Sequence, residues 1–169
     1  MTEPQDEFGA IIEEAIATDR EAVVELFCED LTDLRMTVDR DALCAVFESM
    51  ITDPRAVLLV AREFSGGPAV GALVASRMLS VKFAGRSVWI EELYVAKHAR
   101  RRGYGRDLVE GLLDLAGEWG MRGIDLEAYH GNDGAAILYR SLGFERLGRE
   151  RFRYDLDWEA EMPQEEPHS

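Results

Sequence analysis

Arg100-Arg101-Arg102-Gly103-Tyr104-Gly105-Arg106 lies between an apolar, strand-like run, Val88 to Val95, and a run with helical periodicity. Four arginines and two glycines meet at this junction, in a chain of formal net charge -14. A helix N-terminus presents unpaired backbone N–H groups and a partial positive charge, and glycines let a ligand approach that backbone closely. Three successive cations at such an end oppose the helix dipole, so the placement is unfavourable unless an anion lies there. The junction reads as a cradle for a phosphorylated ligand.

On its N-terminal side, a first strand is expected over about Gly9 to Ala15. Thr18 with Glu21 makes a capping-box pattern ahead of Ala22, Val23, Leu26 and Phe27 at helical spacing. A second helix is expected from an Asp39 cap, with Leu43, Val46, Phe47 and Met50 on one face, ending at Asp53-Pro54. Ala56 to Phe64, Ala69 to Leu79 and Ser87 to Val95 read as strands, the first two joined by a turn at Ser65-Gly66-Gly67-Pro68. On the C-terminal side, Leu108, Leu112, Leu115 and Trp119 recur at helical spacing. Ile124 to Tyr129 reads as a strand and Ala135 to Ser141 as a last helix stopped by Gly143. Terminal strands are expected around Glu145 to Leu147 and Phe152 to Leu156. The order β-α-α-β-β-β-α-β-α-β(-β) predicts an α/β fold, with a mixed, mostly antiparallel sheet of six to seven strands and helices on both faces. The domain is expected over 9–156, with residues 1–8 and 158–169 as acidic, flexible tails.

A chain of 169 residues, 47 % hydrophobic and 31 % charged, can bury the core of one globular domain. No apolar run is long enough to cross a bilayer and the N-terminus lacks a signal pattern, so a cytoplasmic protein with no membrane partner is expected. The acidic balance argues against nonspecific nucleic-acid binding, which needs a basic face. Cys28 and Cys44 lack metal-ligand spacing and read as buried free thiols, and no metal is expected.

A P-loop needs Gly-x4-Gly-Lys-Ser/Thr, which is absent. A dinucleotide fingerprint needs a third glycine where Leu108 stands. Arg100-x-x-Gly103-x-Gly105, five residues beyond Leu93-Tyr94-Val95, instead resembles the acyl-CoA pyrophosphate motif of the GNAT N-acetyltransferase superfamily, Gln/Arg-x-x-Gly-x-Gly/Ala. Ile90-Glu91-Glu92-Leu93-Tyr94-Val95 resembles that family's fourth strand. Asn132-x-x-Ala135-x-x-Leu138-Tyr139-x-x-Leu142-Gly143-Phe144 resembles its last helix and exit. The resemblance covers about residues 9–156. Lys97 stands where the family often has proline, and Arg101 where it often has glycine; neither change removes a backbone N–H.

The resemblance implies an acyl-CoA N-acyltransferase that moves acetyl from acetyl-CoA to a primary amine. Backbone N–H groups of Arg101, Arg102, Gly103, Tyr104, Gly105 and Arg106 would surround the pyrophosphate, with the arginines, Arg100 included, adding charge. Leu93, Tyr94 and Val95 would pair with the pantetheine arm as an extra strand would, helped by a bulge that splays the fourth and fifth strands. Asn132 would hydrogen-bond the pantetheine, or cap its helix, or do both with Asp133. By the same resemblance Tyr139 would lie in that site and match the family's general acid; its phenol, of reference pKa about 10, stays protonated near neutrality.

The general base has three candidates, in the order Glu91, Glu127, Glu92. In a regular strand Glu91 shares a face with Trp89, Leu93 and Val95, and Glu92 with Ile90 and Tyr94. His98 and His130 read as loop residues without a role. The acceptor would lie against the N-terminal helices, the segment from Asp30 to Asp41 and the C-terminal strands. Glu29, Asp30, Asp33, Asp39 and Asp41 there suit a cationic small molecule. Protein N-terminal or lysine acetylation stays open, as does a non-catalytic CoA-binding module. Homodimers are frequent in the superfamily, and nothing in the sequence speaks for one.

Overall fold

Val57 to Ala61 and Ala69 to Ala75 are nearly continuous apolar runs, and a strand with such a sequence must be covered on both faces. The computed structural model, which describes residues 10–129 and 132–156, meets that demand with one five-stranded sheet in the order β1-β2-β3-β4-β5. Its elements are β1 (Ile11–Glu14), α1 (Arg20–Asp33), α2 (Arg40–Met50), β2 (Ala56–Arg62), β3 (Ala69–Ser80), β4 (Gly85–Val95), α3 (Tyr104–Glu118), β5 (Ile124–Leu126) and α4 (Asp133–Ser141). The first four strands run antiparallel to their neighbours, and β5 pairs parallel with β4 after the α3 crossover. The α/β, mixed and mostly antiparallel architecture follows the sequence expectation.

Helix α3 buries Leu108, Val109, Leu112 and Ala116 against one face of the sheet. Its close approach is set on the strand side, because a Cβ at Gly71 would stand 3.3 Å from Leu108 Cδ1 and from the Tyr94 carbonyl oxygen. That is why a bulky leucine is accommodated at position 108. On the opposite face, Val23, Val24, Leu26 and Phe27 of α1 are buried, together with Phe47 of α2.

Two local expectations fail. The sheet has five strands among the described residues, not six or seven, and residues 145–156 pair with none. Phe152, Tyr154 and Leu156 there are 87 %, 86 % and 81 % exposed, amid a charge-rich run that offers little apolar surface for a strand to bury. The Thr18–Glu21 capping box does not form either. A short 3-10 turn over Ala17–Asp19 precedes α1, and the Ile16 N–H donates to Asp19 Oδ2 at 2.9 Å. Asp19 is held there by a buried ion pair, with Arg62 Nη2 2.8 Å from both its oxygens, while Glu21 pairs with Arg20 and Arg40. Arg62 also donates to Glu13 and to the Gly67 carbonyl, tying β1, the entry to α1 and the β2–β3 hairpin together. The Asp39 cap does form, accepting from the Ala42 N–H at 3.0 Å. Cys28 and Cys44 are free thiols, half-buried. Residues 1–9, 130–131 and 157–169, which include Gly9, His130, Gly131 and both expected tails, lie outside the described residues.

Candidate functional site

The pairing of β3 with β4 slips by one residue: Val74 meets Glu92 and Ala75 meets Ile90. Glu91 is therefore the extra residue of a β-bulge, and it is exposed. The bulge exchanges the faces predicted for a regular strand. Ile90 now shares a face with Leu93 and Val95, towards α3, while Glu92 shares the other with Trp89 and Tyr94, towards α1. Pairing with β5 ends at Ile90 opposite Leu126, so β4 from Glu91 to Val95 keeps β3 on one side but has no strand on its β5 side among the described residues. The two strands part at the level of the bulge, which leaves a strand edge open.

Beyond that edge the chain turns through the arginine–glycine segment into α3. Arg101 and Gly103 adopt left-handed backbone angles, φ +65° and +91°. Among the described residues no hydrogen bond uses the backbone N–H of any residue from Arg101 to Arg106. Most of the arginine side chains are already engaged. Arg100 donates to the Val95 carbonyl at 3.0 Å, approaches Asp33 at 3.5 Å and lies over the Tyr94 ring. Arg102 pairs with Glu63, and Arg106 reaches Ser141 Oγ at 2.7 Å and Glu110 at 3.3 Å. The backbone is what this loop offers to a phosphate. Unpaired amides at a helix start beside an open strand edge fit a ligand with a pyrophosphate and an extended, amide-bearing arm.

Glu92 is half-buried where the strands part, and its Oε1 accepts weakly from the Leu93 N–H at 3.3 Å. Its carboxyl faces that of Asp30, which α1 carries into the interface at 8 % exposure. Burial, the Asp30 charge and the nearby Glu91 together push Glu92 up to about 7, from an ordinary 4.5. Asp30 is raised too, by burial first and then by the charge of Asp33. The Tyr139 ring packs edge-on against Phe144, with centroids 5.8 Å apart. Burial, and the charge of Glu92 after it, raise its phenol to about 12. The Glu92 charge thus reaches the Tyr139 phenol.

The other acids sit apart. Glu127 falls one residue beyond β5, exposed and paired with Arg151. Asn132 caps α4, its Oδ1 accepting from the Ala135 N–H at 3.1 Å. Of the five acidic residues named for the acceptor side, Asp39 caps α2 and Asp41 is exposed in its first turn. Glu29 and Asp33 reach β4, accepting from Tyr94 Oη at 3.3 and 3.1 Å, and Lys97 Nζ lies 2.7 Å from Asp33.

Residues 20–144, most of the chain, match the acetyltransferase (GNAT) family. The chain belongs to that family. This GNAT acetyltransferase is 28 % identical over 134 residues to an uncharacterized N-acetyltransferase, YhfO, of Bacillus subtilis, covering 79 % of the chain and 89 % of the relative. Among solved structures it resembles a transcriptional regulator from Bacillus halodurans, with a TM-score of 0.76, 25 % identity and coverage of 88 % and 100 % of the two chains. It also resembles AAC(6')-Iy in complex with the bisubstrate analog CoA-S-monomethyl-acetylneamine, with a TM-score of 0.71, 21 % identity and coverage of 88 % and 99 %. The GNAT acetyltransferase is a transferase, so the non-catalytic alternative falls away. No helix among its described residues is long and apolar enough to cross a membrane, and no His, Cys, Asp and Glu side chains among those residues cluster as metal ligands would.

Proposed function

We infer that the protein transfers acetyl from acetyl-CoA to a primary amine on a small cationic molecule, with Glu92 as general base and Tyr139 as general acid. What supports this most is a half-buried carboxyl, Glu92, where β4 and β5 part beside the unpaired loop amides, with the half-buried Tyr139 phenol within reach of its charge. Arg101 to Arg106 would hold the pyrophosphate through backbone N–H groups, and the open edge from Leu93 to Val95 would receive the pantetheine arm. Asn132 retains an amide nitrogen for the same arm while its oxygen caps α4.

An alkylamine carries a proton at neutral pH, its pKa being about 10, and cannot attack until it loses it. Glu92, titrating near 7, is ionised often enough to accept that proton and acidic enough to pass it to solvent. The neutral nitrogen then forms a bond to the acetyl carbon as the carbon–sulfur bond breaks. Tyr139 gives its phenolic proton to the departing sulfur and is reprotonated at the expense of the second nitrogen proton. Raised to about 12, Tyr139 stays protonated until the thiolate develops. Asp30 beside Glu92 adds negative charge that favours a cationic acceptor.

The test is thiol release from acetyl-CoA in the presence of spermidine, kanamycin, a lysine peptide and a peptide with a free N-terminus. A small polyamine or aminoglycoside should accelerate release well above either peptide. Tight acetyl-CoA binding by calorimetry, with no acceleration by any amine, would overturn the reading.

A further inference from the structure

Two aspartates of the N-terminal third are buried, and they are answered in opposite ways. Asp19 meets the Arg62 guanidinium at 2.8 Å. Asp30, at 8 % exposure, accepts no hydrogen bond from an N–H or from a cationic or hydroxyl group among the described residues. Its neighbour is the Glu92 carboxyl. Asp30 also sits in the last turn of α1, where a negative charge opposes the helix dipole and where no basic residue offsets it. Helix stability and ion pairing thus leave its position unexplained.

We propose that Asp30 is a positioning residue, holding the Glu92 carboxyl at the strand divergence and sharing one proton with it so that the base works near neutral pH. This rests on Glu92 being the base. Two carboxyls in contact cannot both ionise freely, so the pair holds a proton into a pH range where a lone glutamate has lost it. The groups facing the pair come from every element around it. Asp33 lies on α1, Glu91 and the Leu93 N–H on β4, Arg100 on the loop and Tyr139 on α4. Asp33 is itself neutralised by Lys97, Tyr94 and Arg100, which hold it below the usual carboxylate range. Asp30 feels the Arg100 charge but makes no ion pair of its own among the described residues. A bond donated by protonated Glu92 to ionised Asp30 would raise the former and oppose the rise of the latter. Asp30→Asn keeps the shape, removes the charge and offers an amide N–H to ionised Glu92, so both effects lower Glu92.

The experiment is a carboxyl carbon-13 NMR titration of the protein labelled at Glu Cδ, with Glu92→Gln identifying the Glu92 resonance. In the native chain that resonance should titrate near 7, and in Asp30→Asn its midpoint should fall by at least about one pH unit. The reciprocal measurement uses Asp Cγ label, where Glu92→Leu, which leaves no donor, should raise the Asp30 midpoint; it stands if Asp30→Asn fails to fold. A Glu92 midpoint unmoved by Asp30→Asn, or an Asp30 midpoint unmoved by Glu92→Leu, overturns the proposal. Should both midpoints move while Glu92→Gln keeps native turnover with acetyl-CoA and the amine panel, the pair exists but Glu92 is not the base. The assignment of Asp30 to catalysis then falls with it.

Discussion

The carboxyl of Asp30 on α1 faces the carboxyl of Glu92 on β4, beside the bulge that Glu91 creates. A like-charge contact at a helix–sheet interface costs stability at neutral pH, and proteins keep such arrangements where chemistry uses them. The consequences can be measured separately.

Glu92→Gln should lower turnover by about 10²- to 10⁴-fold, the usual contribution of a positioned base. It should also stabilise the fold at pH 8. Glu92 is raised in the folded chain, so its contribution to stability is fully present below the unfolded value of 4.5 and is lost as pH rises towards 7. The native melting temperature should therefore fall across that window relative to the variant's, and the two should converge near pH 4. A variant less stable than the native chain at pH 8 would contradict the burial argument.

Tyr139→Phe should retain acetyl-CoA binding within a few-fold by calorimetry while losing about 10²-fold or more in turnover. Its ring keeps the edge-on contact with Phe144, so the melting temperature should change little. Equal losses of binding and turnover would instead make the residue part of the binding surface.

In the phosphate loop, Arg101 and Gly103 share a backbone region that costs a residue with a Cβ about 1–2 kcal/mol. Arg101→Gly should leave urea stability equal or raise it by up to about 1 kcal/mol, the strain relief being offset by a more flexible unfolded chain. Gly103→Ala should lower it by about 1 kcal/mol. Changes of the same sign in both variants would show that the loop does not hold these angles.

Arg62→Ala strands Asp19 without its guanidinium and should destabilise the fold by about 3–5 kcal/mol in urea titrations. Adding Asp19→Asn should recover part of that loss, because the uncompensated charge goes with it. Additive losses in the double variant would mean the pair is not coupled.

What the sequence revealed and what it hid divide along physical lines. The strand–loop–helix junction at Arg100 to Arg106 was legible because glycine backbone freedom and charge at a helix start are local properties. The order of elements was legible from apolar periodicity. The resemblance ranks Glu92 behind Glu91 and Glu127, and a regular strand sets it beside Ile90. One bulged residue reverses that face, and no local residue preference marks where the extra residue falls. Asp30 was read as part of a diffuse acidic segment because its contact with Glu92 joins positions far apart in the chain. Thr18 and Glu21 matched a capping pattern, yet the buried Arg62 drew Asp19 into the turn and moved the helix start. Leu108 stood where a dinucleotide fold needs glycine, while the glycine that allows close helix–strand packing lies on the other element, at Gly71.

The account turns on Glu92 removing the amine proton, and the pH profile of kcat/KM for acetyl transfer, compared between the native chain and Glu92→Gln, tests that most directly. The native profile should rise with pH through an acid limb centred near 7, and the variant should show a low residual rate without that limb. An unchanged limb in Glu92→Gln, at native rates, would contradict the account.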